Sequence, residues 1–432
     1  MKLLIKKGRI IDPIEGIDEV KDILIENGTI VSVSKNIKDD FSKGKIEVID
    51  AAGKWVVPGL IDMHCHLREP GREDEETLLS GMRSGIRGGY TRLCCMPNTD
   101  PVLDNEGLMN FIYNESKRLD LAEVYPIGAV TRGQKGQELT NIGLLKDAGA
   151  AALSDDGHPV GNIHLMRRAL EYADMFDLVI IAHCEDKILS GDGVMNEGYT
   201  ATKLGLAGIN SYSEQIAVYR DVSLSRLTGS RLHIAHLSTA GGVEIVRQAK
   251  KQGVKVTAET CPHYFTLTEE AVEGFNTNTK MNPPLRTKED AAAIKAGLAD
   301  NTIDAVATDH APHTENEKDV EYNYAPFGII GLETALSLGI MKLVDEKILT
   351  AMQLIEKMAV NPARILGLET KGISSNNKAN LAVIDPDKEW EVKEDSFESK
   401  SKNSPFIGWK LKGVVEEVVL GSRRLMKAGE IA

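Results

Sequence analysis

Cysteine is scarce in this chain, and none of it is paired by spacing. The five thiols, Cys65, Cys94, Cys95, Cys184 and Cys261, contain no Cys-x-x-Cys, so a structural zinc of the ribbon type is not expected. An odd set scattered over apolar runs reads as reduced thiols acting as small buried hydrophobes. A cytoplasmic location is the matching expectation. No apolar run reaches the roughly 18 residues a membrane helix needs. The start, Met1-Lys-Leu-Leu-Ile-Lys-Lys-Gly8, holds too short an apolar run for a secretory signal, and none is expected. Positive charge is in deficit, with a formal net charge of −13. That argues against a nucleic-acid partner, which calls for a basic face, and reads as colloidal solubility. No Gly-x-Gly-x-x-Gly turn opens the first strand–helix unit, which weighs against an open dinucleotide-binding sheet.

What is present is the composition of a soluble globular protein long enough for more than one domain. The first 57 residues read as short strands and tight turns: Leu3–Lys6, Arg9–Asp12, Asp22–Ile25, Thr29–Val33 and Lys45–Asp50, with Asn27-Gly28 as a hairpin signal. From residue 58 to 366 strands alternate with helices. The strands are expected at Gly59–His66, Thr91–Met96, Ala122–Val130, Ala150–Asp155, Leu178–His183, Arg231–Leu237, Val254–Thr260 and Ile303–Thr308, with a longer helical tail over Gly331–Leu366. Eight apolar strands separated by helices predict an α/β fold, a closed (β/α)₈ TIM-like barrel. From residue 367 to 432 β patterning returns, so the two ends are expected to form one small composite β-sandwich domain. Residues 394–405, rich in Ser, Lys and Glu, read as a solvated loop.

A barrel carries its chemistry at the C-terminal ends of its strands. The first ends in Asp62-Met-His64-Cys-His66-Leu-Arg68. Residues two apart on a strand point the same way, so His64 and His66 project together and suit a zinc ion. The second ends in Asn98, the fourth in Asp155-Asp156-Gly157, the fifth in His183-Cys-Glu185 and the sixth in His236-Leu-Ser238. The seventh ends in Glu259-Thr-Cys-Pro-His263 and the eighth in Asp309-His-Ala-Pro-His313. Together these place imidazoles and carboxylates at one rim, a set able to hold two metal ions.

The His-x-His, the single histidines on strands five and six and the strand-eight aspartate resemble the amidohydrolase superfamily. Asp62–Gly71, Met96-Pro-Asn-Thr99, Ser154-Asp-Asp-Gly157 and Ala307–His313 are similar to the long bacterial, class I, dihydroorotases. The resemblance implies a zinc-dependent cyclic amide hydrolase of pyrimidine biosynthesis, with N-carbamoyl-L-aspartate and L-dihydroorotate as its small-molecule substrates. It implies two Zn²⁺ per subunit, one on His64, His66 and Asp309, the other on His183 and His236, with Asp309 also shuttling the proton. A strand-four aspartate stands where many relatives have a bridging lysine. The family pattern favours Asp156, while strand parity leaves Asp155 open. Substrate contacts are implied for His66, Arg68, Asn98, Asn282, His313, Phe327 and Gly328. A homodimer is expected, with association with aspartate transcarbamoylase as a further possibility. The alternatives are a hydantoinase or allantoinase, or an inactive barrel serving as a scaffold.

Overall fold

The computed structural model describes residues 2–38 and 46–432. Strands β1 (Lys2–Asp12), β2 (Ile17–Glu26) and β3 (Thr29–Ser34) form an antiparallel meander, and β4 (Glu47–Asp50) and β5 (Trp55–Pro58) join β1 in parallel. Two separate strands were expected across β1. It is one strand with a register shift between Ile5 and Gly8, where Lys7 takes φ +59°. Lys45, the first residue of the strand expected there, lies outside the described residues. The run Trp55–Ile61, which reads as one buried strand, divides at Gly59. Trp55–Pro58 stays in this sheet and the next strand enters the barrel.

The barrel uses β6 (Leu60–Cys65), β7 (Tyr90–Cys95), β8 (Glu123–Pro126), β9 (Leu153–Ser154) and β10 (Ile180–Ala182). After a paired excursion, β11 (Met195–Asn196) with β12 (Gly208–Ile209), it continues through β13 (Leu232–Ile234), β14 (Val256–Thr260) and β15 (Ala305–Val306). Neighbours are parallel, β6-β7-β8 and β9-β10-β13-β14-β15. Single parallel bridges close the ring, Gly128 to Leu153 on one side and Cys65 to His310 on the other. Met63, Cys94, Ile127, Ala152, Ile181, Ala235 and Ala305 fill the interior.

Helices cover the outside: α1 (Leu78–Arg87), α2 (Glu106–Leu119), α3 (Ile142–Asp147), α4 (Ile163–Asp174), the short α5 (Lys187–Ser190) and α6 (Tyr199–Leu204), and α7 (Tyr212–Thr228). Then come α8 (Ala240–Lys251), α9 (Pro262–Thr266), α10 (Lys288–Ala299) and α11 (Glu315–Lys318). The helical tail expected over Gly331–Leu366 is broken once: α12 (Ala335–Gly339) runs on into a π-helical turn (Ile340–Val344), and α13 (Ala351–Ile355) and α14 (Asn361–Leu366) are joined by another (Glu356–Val360). Thr350 and Gln353 form a capping box, which starts a new helix after the turn at Asp345–Leu349.

Strands β16 (Asn380–Glu391), β17 (Lys410–Leu420), β18 (Arg423–Lys427) and β19 (Glu430–Ile431) complete the first sheet, because β16 pairs with β5. Alternation sorts its side chains. Trp55, Val57, Ala382 and Ile384 pack in the same core as the barrel helices, while Val56, Leu381 and Val383 pack with Leu3, Ile5 and Ile23 on the other face. The loop expected to be solvated over 394–405 is so only in part: Glu394, Asp395 and Lys400 are exposed, but Ser399, Ser401, Asn403 and Ser404 are buried. Its polar side chains hydrogen-bond to the barrel mouth, a partnership that composition does not reveal.

Candidate metal centre and substrate pocket

Each chemical side chain stands on or just beyond the C-terminal end of a barrel strand, so the short strands aim them at one point. Three of these positions have left-handed backbone without being glycine: Arg68 at φ +61°, Asp309 at +48° and His236 at +31°. Such conformations cost free energy and persist where the surroundings enforce them.

The imidazoles are held from outside. His64 Nδ1 donates to Glu259 Oε1 at 2.6 Å, His66 Nδ1 to Asn98 Oδ1 at 2.7 Å and His183 Nε2 to Glu185 Oε2 at 2.9 Å. Each bond commits the proton of a neutral ring to its outer nitrogen and turns the inner lone pair toward the centre. There His66 Nε2 lies 3.0 Å from Asp309 Oδ1, and His64 Nε2 lies 3.5 Å from the same oxygen. Asp156 Oδ1 is 3.3 Å from His236 Nε2, 3.4 Å from His183 Nδ1 and 3.6 Å from His64 Nε2. His64 Nε2 and His236 Nδ1 are buried without a hydrogen-bond partner.

Lone pairs and carboxylate oxygens facing one another need a cation between them. Two ligands at 2.0–2.1 Å from one tetrahedral zinc stand roughly 3.3 Å apart, and the observed separations straddle that value. The ligand atoms of His64, Asp156 and His236 lie within 4.8 Å of one another, as do those of His64, His66 and Asp309. The donor set therefore fits a pair of N/O-ligated divalent ions. Cys261, His263 and Asp309 make a further such group, in which burial pushes the Cys261 thiol well up.

Asp155 and Asp156 part company here. Asp155 accepts from Val130 N at 2.8 Å, Thr131 N at 3.1 Å and the Thr131 hydroxyl. It closes the strand-three loop and points away from the histidines.

Above the cluster lies a cavity of about 240 Å³. His66, Arg68, Asn98, Asp156, His183, Asn282, Asp309, His313, Phe327 and Gly328 line it, while His64 and His236 sit beneath, almost wholly buried. Apart from Asp155, the residues expected from sequence to hold metal or substrate thus converge on one place. Gly328 must be glycine: at φ +133°, a Cβ would come 2.7 Å from Ala311 Cβ and 3.1 Å from His313 Nε2. Gly71 is similarly forced, because a Cβ would overlap the carbonyl of Asp100, the residue whose N–H donates to Pro70 O at 3.0 Å and ties the strand-one and strand-two loops together.

Sequence reasoning passed over the groups that hold these residues. Glu185 also accepts from Asn282 Nδ2 at 2.8 Å and Lys187 Nζ at 2.7 Å. Glu76 joins His310 to the C-terminal segment through Ser399 Oγ and Lys400 N. Asn403 Nδ2 donates to Ala311 O at 3.0 Å and Gly328 O at 3.1 Å, and its Oδ1 accepts from His313 N at 3.1 Å. Glu185 and Glu259, at strand ends, carried a positional signal; Asn403, remote in sequence, carried none.

A family model described as Dihydro-orotase-like matches residues 53–241. The chain is 53% identical over 427 residues to a dihydroorotase of Geotalea daltonii, covering 99% of this chain and 100% of the relative. It is 52% identical over 423 residues to a dihydroorotase of Trichlorobacter lovleyi, covering 98% and 99%. Among solved structures, the L-hydantoinase from Arthrobacter aurescens is similar in fold at a TM-score of 0.86 and 24% identity, covering 100% of this chain and 97% of that one. A dihydropyrimidinase from Brevibacillus agri matches at 0.86 and 19%, covering 100% and 96%. At such identities the structural likeness bears on the fold alone.

Proposed function

The chain belongs to the dihydroorotase family, and from that premise we propose that it interconverts L-dihydroorotate and N-carbamoyl-L-aspartate, the cyclic-amide step of pyrimidine biosynthesis. The observation that carries this reading is the convergence of four imidazoles and two carboxylates beneath a cavity that also holds Arg68, Asn98 and His313.

We assign His64, His66 and Asp309 to one Zn²⁺, His183 and His236 to a second, and Asp156 to the bridge between them. When bound, such a pair supplies Lewis acidity to an amide carbonyl and acidifies a water. Arg68, Asn98 and His313 would hold the substrate carboxylate, since a guanidinium fork orients an anion as well as attracting it. His66 borders the same pocket, and Asn282 with the backbone at Phe327 and Gly328 would meet the ring amide. Asp309 is the proton carrier. Burial opposes its ionisation, but positive charge facing it, on a protonated His66 hydrogen-bonded to it and on the neighbouring imidazoles, or on a bound cation in their place, outweighs this and holds its carboxyl group low. It is therefore ionised at neutral pH. In hydrolysis a water oxygen bonds to the ring carbonyl carbon and the C–N bond breaks. Asp309 takes the water's proton and delivers it to the departing nitrogen. Cyclisation runs the same transfers backward.

The strand-four carboxylate and the cationic pocket together favour this reading over a hydantoinase or allantoinase. The test is metal analysis of the purified protein with turnover of dihydroorotate, hydantoin and allantoin. Two zinc ions and preference for dihydroorotate are expected; preference for an uncarboxylated ring would overturn the assignment.

We also propose the division 1–57, 58–366 and 367–432, supported by the break at Gly59 between β5 and β6. A cytoplasmic location fits five buried free thiols. A homodimer, and a complex with aspartate transcarbamoylase, are read by sedimentation of the chain alone and mixed with that enzyme.

A further inference from the structure

One buried carboxylate touches two of the three side chains assigned to the substrate carboxylate, yet lies behind the cavity wall. Glu75 sits in the turn ahead of α1 and is 1% exposed. Its Oε2 is 2.9 Å from Arg68 Nε, and its Oε1 accepts from His313 Nδ1 at 2.7 Å and lies 3.2 Å from Arg72 Nη2. Its main chain is fixed too. Glu75 N donates to Arg72 O at 3.0 Å, and Glu75 O accepts from Ser401 Oγ at 2.7 Å.

Arg68 and His313 come from opposite ends of the barrel sequence, yet their Nη2 and Nε2 atoms are 3.4 Å apart. Two basic groups this close repel when both are charged. Burial lowers the basicity of each, and Glu75 is a carboxylate that opposes that in both. His313 Nε2 also faces the Phe327 carbonyl at 2.8 Å. Both its nitrogens therefore face acceptors, and only the protonated ring donates from both. A carboxylate on Nδ1 favours that form.

We propose that Glu75 is a positioning residue that locks Arg68 and His313 into one carboxylate-binding unit and thereby sets the preference for a carboxylated ring. This rests on the dihydroorotase reading above. Losing Glu75 has two opposed effects. It removes a negative charge that competes with substrate, and it frees Arg68 and leaves His313 without its Nδ1 acceptor. The second wins, because a bidentate grip depends on orientation.

The experiment uses Glu75→Gln and Glu75→Ala, with zinc content and thermal midpoint measured on each preparation. KM and kcat are taken for dihydroorotate, and inhibition constants for orotate and for orotamide, whose carboxylate is replaced by an uncharged amide. For Glu75→Gln we expect KM to rise about tenfold, the scale of one charge-assisted hydrogen bond, with kcat within threefold of the original. The orotate constant should rise in proportion and the orotamide constant should stay put. Should Glu75→Ala lose its fold, Glu75→Gln keeps the volume and one of the two acceptor oxygens and carries the test. An unchanged or lower KM in folded, zinc-loaded Glu75→Gln would overturn the inference, as would equal weakening of both inhibitors. Absence of dihydroorotate turnover by the unaltered protein would overturn the functional reading and this inference with it.

Discussion

Asp155 and Asp156 are adjacent, and their carboxylates face different partners. Exchanging each for asparagine separates structure from ligation. Asp156→Asn should keep its fold and lose bound zinc, measured by elemental analysis. Asp155→Asn should keep its zinc and unfold more easily by about 1–3 kcal/mol in denaturant, because it sets an amide against the Val130 and Thr131 donors. At Asp309 the duties overlap. Asp309→Asn retains an oxygen ligand but accepts no proton, so zinc-loaded protein should lose on the order of 10²-fold in kcat. Near-normal turnover would leave Asp309 as a ligand alone. Arg68→Lys should raise KM for dihydroorotate strongly, since an ammonium has no fork. These residues were legible in the sequence because a strand end fixes both direction and depth. The choice between Asp155 and Asp156 was not, because it depends on where a two-residue strand stops.

Among the elements, the segment from Phe397 to Ser404 is the one whose role composition concealed. Its composition resembles a solvated loop, but Ser399 Oγ and Lys400 N donate to Glu76, Ser401 Oγ to the Glu75 carbonyl, and Asn403 Nδ2 to the carbonyls of Ala311 and Gly328. Asn403→Ala would leave two carbonyls and the His313 N–H without partners. It should destabilise the fold by about 1–3 kcal/mol and raise KM for dihydroorotate, checked by denaturant unfolding and steady-state kinetics. The alternation of strand and helix was foreseen where apolar periodicity is strong, as over α2 and α4. The β11–β12 excursion and the break after α12 escaped because short pieces held by caps and loop contacts have no period to read.

The whole molecule is a barrel carrying a sheet assembled from strands far apart in sequence, and among the described residues no helix is long and apolar enough to cross a membrane. One outer face is unusually apolar. On α7, Tyr212, Ile216, Tyr219 and Leu227 recur at helical spacing and are 61%, 50%, 65% and 63% exposed. Ile188 and Tyr199, on α5 and α6, are exposed as well. This stripe is a suitable face for the proposed homodimer. Ile216→Glu with Tyr219→Asp should shift a dimer to monomer in sedimentation, with zinc content unchanged. A dimer that survives would lie on another face.

The pairing of Val57 with Ala382, and the reach of Asn403 back to His313, give the molecule a timetable. A ribosome makes His64 and His66 early, when neither the strand that seals β5 nor the clamp on the barrel mouth exists. Until β16 has emerged β5 keeps a bare edge, and until Asn403 has emerged the mouth has no fixed rim. A growing chain therefore has its first two ligands long before it has its pocket.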